Sequence, residues 1–166
     1  MSSIPPSEER IVKVAEWAVE RGNRALVTLG LGSCVAIMLH DPGARAGGMA
    51  HILLPSQRLA RDASNPAKFP ETAVPLLIER LKAIGAEPQR LVAKLAGGAS
   101  MFAQLTVPGT LQMGERNVVA AREALRQFAI PVIAESVGGE RGRAVRFRVP
   151  DGMVAIRSVG ADDVFI

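Results

Sequence analysis

The 166-residue sequence predicts one mixed α/β (α+β) domain, richer in sheet than in helix. Three observations carry that expectation. Most apolar residues fall in short, alternating or β-branched runs broken by Gly, Pro and charge. Only two segments clearly space their apolar residues as a helix does. No repeat, low-complexity tract or charge block marks a linker. A chain of this length buries about 70% of the surface its unfolded form exposes, so it needs no cross-link to fold.

The opening "MSSIPPSEER" is polar and proline-bearing, and residues 1–9 are expected to form a mobile N-terminal segment. Ser7 is a candidate helix cap, but "IVKVAEWAV" admits two readings. Ile11, Val14, Ala15 and Ala18 recur at helical spacing, yet the run is β-branched enough for a strand. "ALVTLG" reads as a strand, "GLGS" as a bend, and "CVAIMLHD" as a second strand with Val35, Ile37 and Leu39 on one face and Cys34, Ala36 and Met38 on the other. "DPGARAGG" is expected to turn, with Gly43, Gly47 and Gly48 supplying left-handed backbone, and "GMAHILLP" returns as a strand. That hairpin carries His51 back toward Cys34.

"SQRLARDASNPAKFPE" reads as a long surface loop, a lid or rim. "ETAVPLLIERLKAIGAE" is a helix with Leu76, Leu77, Arg80, Leu81 and Ile84 on adjacent turns, Pro75 in its first turn and Gly85 as its stop. "RLVAKLAGGA" is a strand. "ERNVVAAREALRQFAI" is a helix with Val118, Ala121, Leu125 and Phe128 as its apolar stripe and Asn117 as a candidate cap. "PVIAESV", "RAVRFRV" and "GMVAIRSV" close the chain as strands, the last two joined at Pro150-Asp151-Gly152.

Composition limits the function classes. The formal charge of +4 favours acidic partners, and Arg141, Arg143, Arg146, Arg148 and Arg157 crowd the C-terminal third. With 4% aromatic residues and no Tyr, a base-stacking platform is poorly supplied, so no nucleic-acid partner is expected. The arginines then read as solvated strand faces or as a surface for an acidic protein. No apolar run approaches the roughly 20 residues of a membrane span, so no direct membrane insertion is expected. One cysteine cannot form an internal disulfide and no secretory signal is visible, so a cytoplasmic location is expected.

That cysteine, Cys34, sits behind the bend at Gly30, Gly32 and Ser33. As a nucleophile it would need its thiol pKa lowered by a cation or by clustered backbone N–H groups, and glycine-rich bends supply such groups for an oxyanion too. His51 lies on the returning strand, whereas His40 lies roughly 20 Å along the cysteine's own strand, too far to act on it. Free cysteine is also among the most buried residue types, so these residues alone leave Cys34 open between packed side chain and nucleophile. One Cys and two His at no zinc-site spacing imply no metal, and "GLGSCV" lacks the Lys-Ser/Thr ending of a nucleotide loop.

"TLGLGSCVAIMLHDPGARAGGMAHILLP", followed by "AKLAGGASMF", "MGERN" and "VGGERGR", resembles the CheD family of chemoreceptor glutamine deamidases over about residues 10 to 158. The resemblance implies a CheD-like deamidase domain over 10–166: a β-sandwich core flanked by helices, similar to the catalytic domain of cytotoxic necrotizing factor toxins, with a strand at 11–19. It implies Cys34 as nucleophile, His51 as base and Thr28 as the residue orienting that histidine. Gly32, Ser33, Gly97, Gly98 and Ser100 become candidates for the pocket or oxyanion site, with the second glycine pair equally readable as a strand end. Phe69 stands where relatives commonly carry Tyr. The implied reaction converts glutamine side chains of methyl-accepting chemotaxis receptors, in their cytoplasmic helical region, to glutamate through a Cys34 thioester, with no cofactor. The other implied role is regulatory binding to a CheC-type phosphatase.

Overall fold

The computed structural model describes residues 8–105 and 107–166. The Ser7 cap and most of the expected mobile segment lie outside the described residues, and Glu8 and Glu9 begin strand β1 (Glu8–Ile11). Nine further strands follow: β2 (Trp17–Arg21), β3 (Arg24–Leu31), β4 (Val35–Asp41), β5 (Ala46–Ile52), β6 (Val92–Gly97), β7 (Val132–Val137), β8 (Arg143–Arg148), β9 (Val154–Arg157) and β10 (Val164–Phe165). They form two five-stranded sheets, one ordered β1-β3-β8-β9-β10 and the other β2-β5-β4-β6-β7. Two helices, α1 (Pro70–Ala83) and α2 (Met113–Gln127), complete the α+β architecture.

The centre of the second sheet is buried on both faces, and β4 shows why. Cys34, Ala36 and Met38 pack with Leu26, Val145, Phe147 and Ile156 of the first sheet, while Val35, Ile37 and Leu39 pack with Leu77, Leu81, Ala121 and Leu125 of the helices. The period-2 alternation expected for β4 therefore separates two apolar cores, one between the sheets and one under the helices. The helices cover one outer face of the sandwich.

Several local expectations need correction. The segment 11–19 is neither one helix nor one strand. The chain leaves the first sheet at Ile11, turns at residues 12–16 with Ala15 at φ 60°, and enters the second sheet at Trp17. Crossing between sheets changes which face is inward, so neither period persists. In the β4–β5 turn the left-handed residue is Arg45 (φ 50°), while Gly47 and Gly48 lie inside β5. A Cβ on Gly47 would sit 2.6 Å from the Phe147 ring, so glycine serves packing there rather than turning. Pro75 falls inside α1, past its first turn, and removes the bond to the Glu71 carbonyl. Helix α2 begins at Met113, which places Asn117 within the helix rather than at its cap. Phe128 is 43% exposed at the C-terminal end, and Gly114, Asn117, Val118, Ala121 and Leu125 form the buried stripe instead.

Candidate active site

Three strand ends meet at one edge of the space between the sheets. Thr28 is fully buried on β3, inward like Leu26 two residues earlier. The pairing of β3 with β8 then shifts between Thr28 and Leu31, where Gly30 adopts φ 69°. That bulge uses glycine's left-handed freedom to bring Leu31 inward and lead the chain into the bend at Gly32-Ser33.

His51 stands on β5 directly opposite Ala36 of β4, so its side chain shares the inter-sheet face with Ala36 and with Cys34 two residues earlier. Cys34 immediately precedes the Val35–Ile52 pair that ends the ladder, and continuing that register sets it diagonally across from His51, a spacing of roughly 7–8 Å between Cα atoms. Across the gap between the sheets, Thr28 Oγ1 lies 2.7 Å from His51 Nδ1 and 2.5 Å from the Val12 carbonyl oxygen. A carbonyl accepts only, so the single hydroxyl proton goes to Val12 and Thr28 accepts from Nδ1–H. That arrangement selects the tautomer with an unprotonated Nε2, which is buried and has no hydrogen-bond partner. The loop 12–16 closes over this pair: His51 N donates to the Glu16 carbonyl and Ala15 N to the His51 carbonyl.

Burial lowers the His51 pKa to about 4. The Cys34 thiol is pushed up by burial, opposed by its own backbone N–H. Both shifts favour a neutral thiol beside a neutral imidazole over a preformed ion pair. The expected lowering of the thiol pKa is thus absent in the resting site. A nucleophilic role for Cys34 would then need a base to take the thiol proton at the moment of attack.

The bend is held from the β6–α2 side. Ala99 N donates to the Gly32 carbonyl at 2.8 Å and Gly98 N to the Cys34 carbonyl at 2.8 Å, while Asn117 Nδ2 donates to the Ser33 carbonyl at 2.8 Å and the Leu53 carbonyl at 3.1 Å. Gly97 (φ 110°) lies where a Cβ would run into the Cys34 carbonyl, so this strand end is also a place of close backbone approach.

The chain matches known proteins. A family profile described as CheD chemotactic sensory transduction matches residues 53–158. The chain belongs to the CheD family. It is 41% identical over 155 residues to the chemoreceptor glutamine deamidase CheD of Thermotoga maritima, covering 93% of this chain and 95% of that protein. It is 47% identical over 149 residues to the probable chemoreceptor glutamine deamidase CheD 2 of Geobacter metallireducens, covering 89% and 92%. The corresponding protein of Desulforamulus reducens is 43% identical over 150 residues, covering 90% of each chain. The family profile begins two residues after His51, whereas an alignment spanning 93% of the chain necessarily takes in residues 28 to 51.

In this CheD chain the structure gathers Thr28, Cys34 and His51 at one edge of the sandwich, with Gly32, Ser33, Gly97 and Gly98 around them. The amides of Gly32, Gly98 and Ser100 are already engaged by the carbonyls of Gly30, Cys34 and Gly139, so these three are not free donors. Three participants escaped the sequence. Val12 supplies the carbonyl that fixes the Thr28 hydroxyl. Arg143, expected on a solvated strand face, is half-buried and donates to the carbonyls of Gly97 and Gly138. Asn117 resembled a cap, yet its spacing to Val118, Ala121 and Leu125 places an amide on an apolar stripe, a signal legible in the sequence. Three of the other C-terminal arginines engage carboxylates: Arg146 with Glu9, Arg148 with Asp151 and Arg157 with Asp163. Among the described residues, no three His, Cys, Asp or Glu side chains converge as metal ligands, and no helix is long and apolar enough to cross a membrane.

Proposed function

We propose that this chain hydrolyses the side-chain amide of glutamines on chemoreceptors, with Cys34 as nucleophile, His51 as base and Thr28 as the residue orienting His51. The observation that carries the reading is the buried Thr28–His51 hydrogen bond, which leaves Nε2 unprotonated on the face that carries Cys34. His51 Nε2 takes the thiol proton as Cys34 Sγ bonds to the amide carbon, and the carbonyl π electrons move to oxygen. Backbone N–H groups at Ser33 and Cys34 stabilise that oxyanion. As the carbonyl re-forms, the C–N bond breaks, the imidazolium gives its proton to the departing nitrogen, and ammonia leaves. A γ-glutamyl thioester remains. Water then gives a proton to Nε2 and attacks the thioester; Cys34 departs with the bonding pair and recovers that proton, leaving glutamate. Thr28 accepts from Nδ1–H throughout, a weaker stabiliser of imidazolium than a carboxylate.

Mass spectrometry of a receptor cytoplasmic fragment incubated with the protein tests this reading. A gain of about one mass unit at specific glutamines is expected with the native chain and none with Cys34→Ala, which should fold normally. Equal gains with both proteins would exclude Cys34 as nucleophile.

A second role, regulatory binding to a CheC-type phosphatase, is favoured by one surface. Met101, Phe102 and Leu105 are exposed, and Met101 Sδ lies 3.1 Å from where a Gly32 Cβ would stand. A partner seated on this apolar patch would cover the approach to Cys34. Binding that survives Cys34→Ala but inhibits deamidation would support it.

A further inference from the structure

Asn117 is fully buried, projects from α2 and spends both of its amide hydrogens on backbone carbonyls: those of Ser33, just before the cysteine, and Leu53, just after β5. Because both partners accept only, the side chain can be placed one way round; a flipped amide would set its oxygen against two carbonyl oxygens. Its own Oδ1 is left buried without a partner. A residue that merely filled the helix stripe would avoid that cost by being apolar, as Val118 and Ala121 beside it are.

The Ser33 carbonyl and the Cys34 N–H belong to one planar trans peptide and therefore point in opposite directions. Holding the carbonyl toward α2 turns the N–H away from it. The carbonyls on either side, of Gly32 and Cys34, are held by the amides of Ala99 and Gly98. Three successive peptide planes are thus set, the middle one by a side chain. Asn117 also bridges the ends of the two strands that carry the reactive pair, since Leu53 lies one step beyond the Val35–Ile52 pair of the ladder.

We propose that Asn117 is a positioning residue that aims the Cys34 N–H at the oxyanion of the tetrahedral intermediate by holding the carbonyl of the same peptide. The inference rests on the deamidase reading above. It adds a residue from outside the three implied positions and explains why a polar amide occupies the buried face of α2. The same N–H is the group that opposes burial in setting the Cys34 thiol, so its orientation has a readout independent of turnover.

The experiment compares the native protein, Asn117→Ala and Leu125→Ala, the last weakening the same helix far from the bend. Two quantities are followed: the rate of Cys34 alkylation by iodoacetamide against pH, and kcat and KM for deamidation of a receptor fragment. Asn117→Ala should raise the alkylation midpoint by about one pH unit and lower kcat about 10- to 100-fold with KM little changed. Leu125→Ala should lose stability and keep the native midpoint. A native midpoint and kcat in Asn117→Ala, or an equal shift in Leu125→Ala, would overturn the proposal. If Asn117→Ala does not fold, Asn117→Ser, which retains one donor, is judged by the same midpoint. Should the native protein not deamidate at all, the function reading fails, while the alkylation midpoint still decides whether Asn117 orients the Cys34 amide.

Discussion

The two histidines of this chain occupy opposite ends of one β-ladder and make different use of similar surroundings. His40 lies near the end of β4, paired with Gly47, and His51 lies near the end of β5, paired with Ala36 beside Cys34. Both are buried and both are held below the ordinary imidazole pKa by burial. Yet His40 Nε2 lies 2.8 Å from the Val149 carbonyl, and its ring meets Phe147 edge-on at 5.9 Å between centroids. His40 Nε2 therefore carries a proton and spends it on the backbone, whereas at His51 that role falls to Nδ1 and Nε2 stays open. Burial and a lowered pKa are common to both rings; a fully buried ring nitrogen without a partner, which the proposed base uses, is found at His51 alone of the two.

The largest expected effect tests that contrast directly. His51→Gln should lower kcat about 10²- to 10⁴-fold while the protein stays folded. His40→Leu should keep kcat and instead lose about 1–3 kcal/mol of stability, read by denaturant unfolding, because the Val149 carbonyl loses its donor. Matching losses of kcat in the two variants would erase the distinction.

Next in size is Thr28→Val, which keeps the shape and removes the hydroxyl. His51 loses its orienting acceptor and the Val12 carbonyl loses its donor. A fall in kcat of about 10- to 100-fold is expected together with about 1–3 kcal/mol lost on unfolding, and Thr28→Ser should recover most of both.

The pH dependence sharpens the comparison further. The proposed mechanism requires neutral His51 in the free enzyme, and its pKa lies at about 4, so kcat/KM should hold as pH falls from 7 and decline only on approaching that value. A decline centred near the ordinary 6.5 would mean that His51 is not shielded as described. Stability follows the same sign. The unfolded chain takes up protons below about pH 6.5 that the folded histidines refuse, so stability is whole above that pH; the His51 share is lost as pH falls toward about 4, and His40 acts in the same direction. His51→Gln should flatten this loss in unfolding curves without removing the part due to His40.

The smallest effect concerns the quiet end alone. Gly152 has φ 75°, and a Cβ there would sit 2.6 Å from His40 Nδ1. Gly152→Ala should cost about 1–3 kcal/mol of stability with deamidation unchanged, measured in the same assays.

Much of the fold is legible in the sequence. The alternation in β4, the return of β5, the β8–β9 hairpin and the Gly85 stop of α1 each follow from local pattern, and their placement held. What local pattern misjudged lies where the chain serves two layers at once. The 11–19 segment changes sheets midway, Gly47 and Gly48 yield space to Phe147, Val19 and Leu77, and Asn117 reaches from one layer to the bend in another.

The sequence by itself determined which residues could react, because a single cysteine and two histidines leave few combinations, and strand periodicity turned Cys34 and Ala36 to one face. Only the tertiary structure decided which histidine nitrogen is free. That choice depends on Val12, Thr28 and Val149, which approach the two rings across the gap between the sheets, and no local pattern records which carbonyl a folded chain will present to which ring.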